Sequence, residues 1–156
     1  MPDAPVSSVT ATREIAATPD VLWAMVADVT RMGEWSPENT RCKWLRGARG
    51  PEIGARFKGV NRNGRRRWST VSTVTESRPG AVFAFETAAG PFAISTWEYR
   101  FVPSGAGTTV TETWTDRRGR TARGLGKRVS GVEDRASHNL AGMEATLERL
   151  AEVAAA

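Results

Sequence analysis

The spacing of apolar residues predicts the elements at the start of the chain. Ser7–Ala16 is rich in Thr and Val with rough alternation, which is typical of a strand. Thr18 is then a helix N-cap candidate and Pro19 a first helical residue, and apolar residues follow at helical spacing. A further turn over 32–35 ends before Pro37, because the residue before a proline is disfavoured in the α region. We therefore expect one strand followed by two short helices.

The middle of the chain contains six short segments with strand character, separated by turn residues. Asn63-Gly64 is a strong hairpin signal and joins "ARFKGVN" to "RRRWSTVSTVTE". Further turns are predicted at "SRPG", "AGP" and "PSGAG". Together with the first strand, these segments predict seven strands, of which the last six form an antiparallel meander.

From about Arg120 the apolar spacing becomes that of a helix. Intervals of three and four residues separate Leu125, Val129, Val132, Ala136, Leu140, Met143, Leu147 and Leu150. This stripe predicts one continuous helix over 120–152, with Leu140 and Met143 facing inward and His138 facing outward. Because the sheet must bury one face, the long helix is expected to lie across it.

The order of elements and several motifs resemble a known superfamily. The motifs are "TREIAATPDVLWAMVADVTRMGEWSP", "RWSTVSTVTE", "TVTETWTD" and the C-terminal "HNLAGMEATLERL". They resemble the START/Bet v 1-like (SRPBCC) superfamily, and within it the bacterial polyketide cyclase/dehydrase-type proteins, over about residues 7–152. The resemblance implies an α+β helix-grip fold, in which a seven-stranded curved antiparallel sheet surrounds the long helix and a hydrophobic ligand cavity. We expect one such domain over residues 1–156.

Strand alternation predicts which side chains face this cavity. In "AISTWEYRFV" the face with Glu98 and Arg100 belongs in water, which also places Ile94 outward and the alternate positions inward. The same reasoning on the other strands, together with the helices, gives the ligand-binding candidates. They are Trp35, Trp68, Thr70, Phe83, Phe85, Trp97, Tyr99, Phe101, Glu112, Trp114, Leu140 and Met143.

A plain hydrophobic core is the alternative explanation for each aromatic residue in that set. The polar members Thr70, Tyr99 and Glu112 favour a small-molecule pocket, since buried polar groups need partners. For Trp35, which stands just before Ser-Pro, two positions remain open: the mouth of the cavity, or a plug between helix and sheet.

Few residues are available for chemistry. The chain has one histidine and one cysteine, so neither a metal-ligand cluster nor a Cys/His nucleophile is expected, and we expect no cofactor. The catalytic candidates are Glu38, Glu112, Asp116 and Tyr99. A carboxylate in an aromatic pocket has a raised pKa and is suited to acid/base work in ring closure or dehydration.

The charge distribution is basic, with 22 Lys and Arg residues against 17 Asp and Glu residues. One basic cluster comprises Arg117, Arg118, Arg120, Arg123, Lys127 and Arg128. A solvated surface is the favoured interpretation, and peripheral contact with anionic membrane lipid is the functional alternative. Nucleic-acid binding is not expected, because the aromatic residues are assigned to the interior. The single cysteine and the lack of a signal peptide or an 18-residue apolar run predict a cytoplasmic protein, either monomer or dimer.

These observations lead to three hypotheses. The first is the binding and carrying of a hydrophobic small molecule, such as a lipid, a polyketide or an isoprenoid-like compound. The second is a cofactor-independent polyketide cyclase or dehydratase that uses cavity carboxylates. The third is a basic interaction or regulatory protein.

Overall fold

The computed structural model describes residues 7–132 and 134–156. Residues 1–6 of the predicted domain and Glu133 of the predicted long helix lie outside the described residues. The strands are β1 (Ser8–Ile15), β2 (Asn39–Trp44), β3 (Arg56–Asn63), β4 (Arg66–Arg78), β5 (Val82–Ala89), β6 (Phe92–Ser104) and β7 (Gly107–Asp116). The helices are α1 (Pro19–Ala27), a 3-10 helix (Val29–Glu34), α2 (Arg120–Ser130) and α3 (Arg135–Ala155).

The seven strands form one open, curved antiparallel sheet in the order β1-β7-β6-β5-β4-β3-β2. The last six strands make the predicted meander, and β1 closes the order by pairing with β7. Helix α3 packs against β1 and β7, and α1 packs against β5 and β6. The fold class predicted from the sequence, a helix-grip α+β domain, is confirmed.

The two short helices after β1 are also confirmed, and local capping explains where they begin. Thr18 is the N-cap of α1, and its hydroxyl accepts a hydrogen bond from the Val21 N–H at 3.3 Å. Pro19 occupies the first helical position. The carboxylate of Asp28 caps the 3-10 helix by accepting from the Thr30 N–H at 3.2 Å. Helix α1 buries Leu22, Met25, Val26 and Ala27.

The prediction of one continuous helix over 120–152 is wrong, because α2 ends at Ser130 and α3 begins at Arg135. Gly131 is the C-cap of α2, with φ of 72°, and its N–H donates to the Lys127 carbonyl at 2.9 Å. Glycine adopts this left-handed conformation without steric penalty, which makes it a common helix stop. Asp134 then caps α3 by accepting from the Ser137 N–H at 3.2 Å.

The C-terminal end of α2 is fastened to the β3–β4 hairpin. The Asn63 amide donates to the Ser130 carbonyl at 2.7 Å, and the Arg66 guanidinium donates to the Arg128 carbonyl. These side chains satisfy carbonyl groups that have no partner within the helix. The turn of this hairpin is centred on Gly64-Arg65, one residue later than predicted, with φ of 61° at Gly64. The hairpin therefore positions α2 over the sheet.

Inside the sheet, alternation assigns most faces as expected. Val110, Glu112, Trp114 and Asp116 of β7 are all buried. The intervening threonines face outward, and their hydroxyl groups pair with those of Ser8, Thr10 and Thr12 on β1. On α3, Met143, Leu147 and Leu150 are buried against the core.

In the described part of the chain, no helix is long and apolar enough to cross a membrane.

Candidate functional site

A cavity of about 420 Å³ lies between the inner face of the sheet, helices α2 and α3, and the segment that leads into β2. Its wall combines aromatic residues from β3 to β7 with mainly small and polar residues from α3. Eight of the twelve ligand-binding candidates line it. They are Trp68, Thr70, Phe85, Trp97, Tyr99, Glu112, Trp114 and Met143.

The structure places the other four candidates, Trp35, Phe83, Phe101 and Leu140, outside the cavity wall. Trp35 is only 4% exposed and belongs to the hydrophobic core, so of its two predicted positions the structure supports the plug. The Arg31 guanidinium covers the Trp35 ring, with its carbon 5.2 Å from the ring centroid. Phe83 and Phe101 are core residues on the strands against which α1 packs, and Leu140 is half-buried at the edge of the core.

Ile94 lines the cavity although alternation predicts that it faces outward. The reason is a bulge: Thr87 pairs with Ser95, but the next residue, Ala88, pairs with Ala93. The extra residue in β6 changes which side chains face inward before Ser95. Phe92, which is 42% exposed, also reaches the cavity in this way.

The most buried acid of the cavity wall is Glu112, with 2% of its surface exposed. The Tyr99 hydroxyl donates a hydrogen bond of 2.7 Å to Glu112 Oε1. Burial raises the pKa of Glu112 to about 8, although the Tyr99 hydrogen bond opposes the shift. Burial and the neighbouring carboxyl group raise the pKa of Tyr99. Near neutral pH the site therefore contains a protonated carboxylic acid and a neutral phenol.

Glu38, the second catalytic candidate in the wall, is held in an ion-pair cluster at the start of α3. Arg135 Nη1 donates to both carboxylate oxygens of Glu38 at 2.8 and 3.0 Å, and His138 Nε2 lies 3.0 Å from Glu38 Oε2. His138 does face solvent, with 40% of its side chain exposed, but it contacts this carboxylate. The Arg135 guanidinium also lies 5.8 Å from the centroid of the Trp68 ring. The cluster ties α3 to the chain just before β2.

Asp116, the remaining carboxylate candidate, lies outside the cavity wall. Its carboxylate accepts two 3.0 Å hydrogen bonds from the Arg118 guanidinium and lies 3.6 Å from Arg123 Nε. Burial opposes ionisation of Asp116, but the bonds from Arg118 and the two positive charges outweigh it and lower its pKa. Asp116 therefore links the end of β7 to the start of α2 through its ion pairs with Arg118 and Arg123.

Several cavity-lining residues were not among the sequence-based candidates. Arg135, Asn139, Gly142 and Thr146 follow one another at intervals of three and four residues on one face of α3. The sequence signal for these residues is a row of small and polar side chains at helical spacing, next to the apolar stripe of α3. Cys42 also lines the wall, and burial raises the pKa of its thiol to about 11, although a hydrogen bond from Asn39 opposes the shift.

Helix α2 forms the rim of the cavity. Leu125 and Val129 both line the cavity and are each 46% exposed, and Phe92 lies in the same wall. We call Leu125, Val129 and Phe92 the apolar rim. Exposed basic residues on and near α2 are Arg117, Arg120, Lys127 and Arg128. No group of three or more His, Cys, Asp or Glu residues suited to a metal ion occurs in residues 7–132 and 134–156.

The sequence pattern of a family described as polyketide cyclase / dehydrase and lipid transport matches residues 7–155. The chain belongs to this family. Its description covers both catalysis and transport, so membership alone does not choose between the two. Among curated proteins no match to the chain was found.

Three solved structures with the same fold are compared with this chain, one at 29% sequence identity and two at lower identity. The Polyketide_cyc-like protein Cgl2372 from Corynebacterium glutamicum is 29% identical with a TM-score of 0.63, covering 94% of this chain and 90% of that one. The di-domain ARO/CYC StfQ from the steffimycin biosynthetic pathway is 15% identical with a TM-score of 0.73, and the match covers 96% of this chain and 50% of StfQ. Major latex-like protein 151 from Panax ginseng is 11% identical with a TM-score of 0.74, covering 96% and 98%. The last two similarities establish the fold alone.

Proposed function

We propose that this protein binds and carries a hydrophobic small molecule, such as a lipid, a polyketide or an isoprenoid-like compound. The observation that carries the proposal is the aromatic-lined cavity of about 420 Å³ with a few buried polar groups. Small-molecule pockets are typically about 300–1,000 Å³ and are mostly apolar with a few placed polar groups. Membership in a family described in part by lipid transport is consistent with this function.

Native mass spectrometry of the protein purified from its own host, followed by extraction, tests whether a hydrophobic molecule occupies the cavity. The matched variants are Thr70→Trp, which fills the cavity from β4, and Val71→Trp, which adds the same ring on the opposite face of that strand. We expect the bound mass in the parent protein and in Val71→Trp, and its loss in Thr70→Trp. Retention of ligand by Thr70→Trp would contradict binding in the cavity.

A cofactor-independent cyclase or dehydratase is the second candidate function, and the pair of Glu112 and Tyr99 favours it. A carboxylic acid that stays protonated near neutral pH is able to act as a general acid beside a bound substrate. Incubation with a panel of poly-β-keto and β-hydroxy thioesters separates the two functions. A cyclase converts one of them and loses turnover in Glu112→Gln while substrate affinity stays within a few-fold. A carrier converts none.

We also propose peripheral contact with anionic membrane through α2 during ligand exchange. The supporting observation is the apolar rim, whose Leu125 and Val129 are half-exposed beside Lys127 and Arg128. A helix with basic and apolar faces binds the surface of an anionic bilayer. Sedimentation with phosphatidylserine-containing vesicles, compared with phosphatidylcholine vesicles, measures this contact. We expect selective binding that high salt weakens and that Lys127→Glu with Arg128→Glu abolishes; equal binding to both lipids would contradict it.

A further inference from the structure

Glu112 lies in the cavity wall with one carboxyl oxygen satisfied and the other not. Oε1 accepts the hydrogen bond from the Tyr99 hydroxyl, whereas Oε2 is buried and has no hydrogen-bond partner among the residues that the structure describes. A buried polar group that lacks a hydrogen-bond partner destabilises the folded protein. The unpaired Oε2 therefore indicates that a bound ligand has a polar group that faces this oxygen and is apolar elsewhere.

The neighbours of Glu112 define the shape of that ligand. Tyr99 and Glu112 stand directly opposite each other on β6 and β7, and Trp97 and Trp114 form the adjacent pair on the same face. All four residues line the cavity. The acid is thus bordered by two indole rings, which suit a flat, apolar molecule next to the polar point.

The position of the carboxyl proton of Glu112 determines which polar group of a ligand is able to bind to Oε2. Tyr99 donates to Oε1, so Oε1 acts as the carbonyl oxygen of the acid, and the carboxyl proton of neutral Glu112 lies on Oε2. A group facing Oε2 must therefore accept a hydrogen bond. Burial raises the pKa of Glu112 to about 8, which keeps this donor in place at neutral pH.

Other ionisable groups around the cavity leave the acid in this state. Those in the wall are Glu38, Cys42, Arg118, Arg135 and His138, contributed by the chain before β2, by β2, by the segment after β7 and by α3. Within the described ranges none of them is hydrogen-bonded to Glu112, and Arg118 is paired with Asp116. On the other neighbouring strand, β1, the residue opposite Glu112 is Ala11.

We propose that Glu112 recognises a carbonyl oxygen on a flat, apolar ligand by donating a hydrogen bond from Oε2. The inference rests on the proposed ligand-binding function and narrows it to ketone- or ester-bearing molecules. Tyr99 acts as the positioning residue that fixes which carboxyl oxygen donates. Trp97 and Trp114, the next inward-facing pair along the two strands, contact the apolar body of the ligand.

The test uses two probes of nearly the same shape. One is the naphthyl ketone 6-propionyl-2-(dimethylamino)naphthalene, and the other is its 6-propyl analogue, in which a methylene group replaces the carbonyl. At pH 6.5 we expect the protein to bind the ketone about tenfold more tightly, the size of one hydrogen bond to an otherwise unpaired group. The preference declines as the pH rises above about 8, because the Glu112 carboxylate has no proton to donate.

Glu112→Gln is the matched variant. Its side-chain amide is able to accept from Tyr99 and to donate into the cavity, but it does not titrate, so the ketone preference should be the same at pH 6.5 and 9.5. A second readout that does not depend on any variant is the infrared stretch of the ¹³C-labelled carbonyl. In the bound ketone it should move to lower wavenumber at pH 6.5 and return at pH 9.5.

The possible outcomes separate this inference from the proposal on which it rests. Equal affinity for both probes at pH 6.5, or a pH-dependent preference that persists in Glu112→Gln, overturns the carbonyl assignment and leaves ligand binding intact. Failure of both probes to bind overturns the assignment of a flat carbonyl ligand, whereas probe binding that Thr70→Trp does not reduce overturns binding in the cavity itself.

Discussion

Glu112 shows how the surroundings of one side chain set its charge. Glu112 is 2% exposed among aromatic residues, and within the described residues its carboxyl group accepts one hydrogen bond, from the neutral hydroxyl group of Tyr99. Within the described chain no arginine donates a hydrogen bond to Glu112, whereas Arg118 donates to Asp116. The two acids lie on the same face of β7, four residues apart, and yet burial raises the pKa of Glu112 while arginines lower that of Asp116.

The raised pKa of Glu112 makes stability depend on pH. The folded protein retains this proton up to about pH 8, whereas the unfolded chain releases it near the ordinary pKa of 4.5. Stability from this group is therefore complete below about pH 4.5 and is lost as the pH rises through about 8. Between these values we expect the free energy of unfolding to fall relative to Glu112→Gln, by up to about 1.4 kcal/mol per pH unit. Urea unfolding of both proteins at several pH values measures the difference, and parallel profiles would show that Glu112 is not buried in its neutral form.

Trp35 is predicted to stabilise the fold without controlling the ligand. Because it is a core residue outside the cavity wall, Trp35→Ala should lower the free energy of unfolding by about 3–5 kcal/mol. The release rate of the naphthyl ketone should stay unchanged. Trp68→Ala, which removes a half-buried ring from the wall, should instead change the release rate and have the smaller effect on folding. Faster release in Trp35→Ala with little loss of stability would place Trp35 at the mouth.

At the scale of elements, the sequence predicts correctly which side chains face inward where a strand is regular. It fails where an extra residue forms a bulge in a strand or a glycine ends a helix. Alternation placed Glu112 and Trp114 inward because β7 pairs without a bulge. It misplaced Ile94 because the bulge in β6 depends on pairing with β5, which the sequence of β6 alone does not contain.

The break between α2 and α3 shows the same limit in a helix. Leu125 and Val129 fall in phase with the apolar residues of α3, so a periodic pattern continues across Gly131. A glycine inside a helix is destabilising by only about 1 kcal/mol, so its presence alone does not predict a stop. The contacts of Asn63 and Arg66 with the end of α2 are long-range and are visible only in the structure.

Those contacts allow a prediction about α2. Asn63→Ala removes the hydrogen bond to the Ser130 carbonyl, so α2 should open more often and the rim of the cavity with it. We expect faster hydrogen exchange of amides in residues 120–130, faster release of the naphthyl ketone, and a loss of about 1 kcal/mol in stability. Arg65→Ala, in the loop of the same hairpin, is the control and should leave all three unchanged. Unchanged exchange in Asn63→Ala would mean that the hairpin does not hold α2.

At the scale of the whole molecule, the cavity lies between the sheet and the helices that cover it, so ligand binding and folding are linked. A ligand that binds the folded state alone at a hundred times its Kd adds about 2.7 kcal/mol to the free energy of unfolding. For a domain of this size that corresponds to a rise of roughly 5–10 °C in Tm with the naphthyl ketone. Thr70→Trp should show no rise, and Val71→Trp should show the full rise. An equal rise in both variants would place the probe outside the cavity.

The pairing of β1 with β7 has a consequence for synthesis on the ribosome. Ile15 pairs with Thr108, so β1 has no neighbour in the sheet until nearly a hundred further residues have been made. At roughly 5–20 residues per second this wait lasts about 5–20 s. The exposed positions of β1 include Thr10, Thr12, Arg13 and Glu14, and such polar and charged residues keep an unpaired strand from joining other chains. The sheet thus starts with a strand that tolerates water and is completed only when β7 has been made.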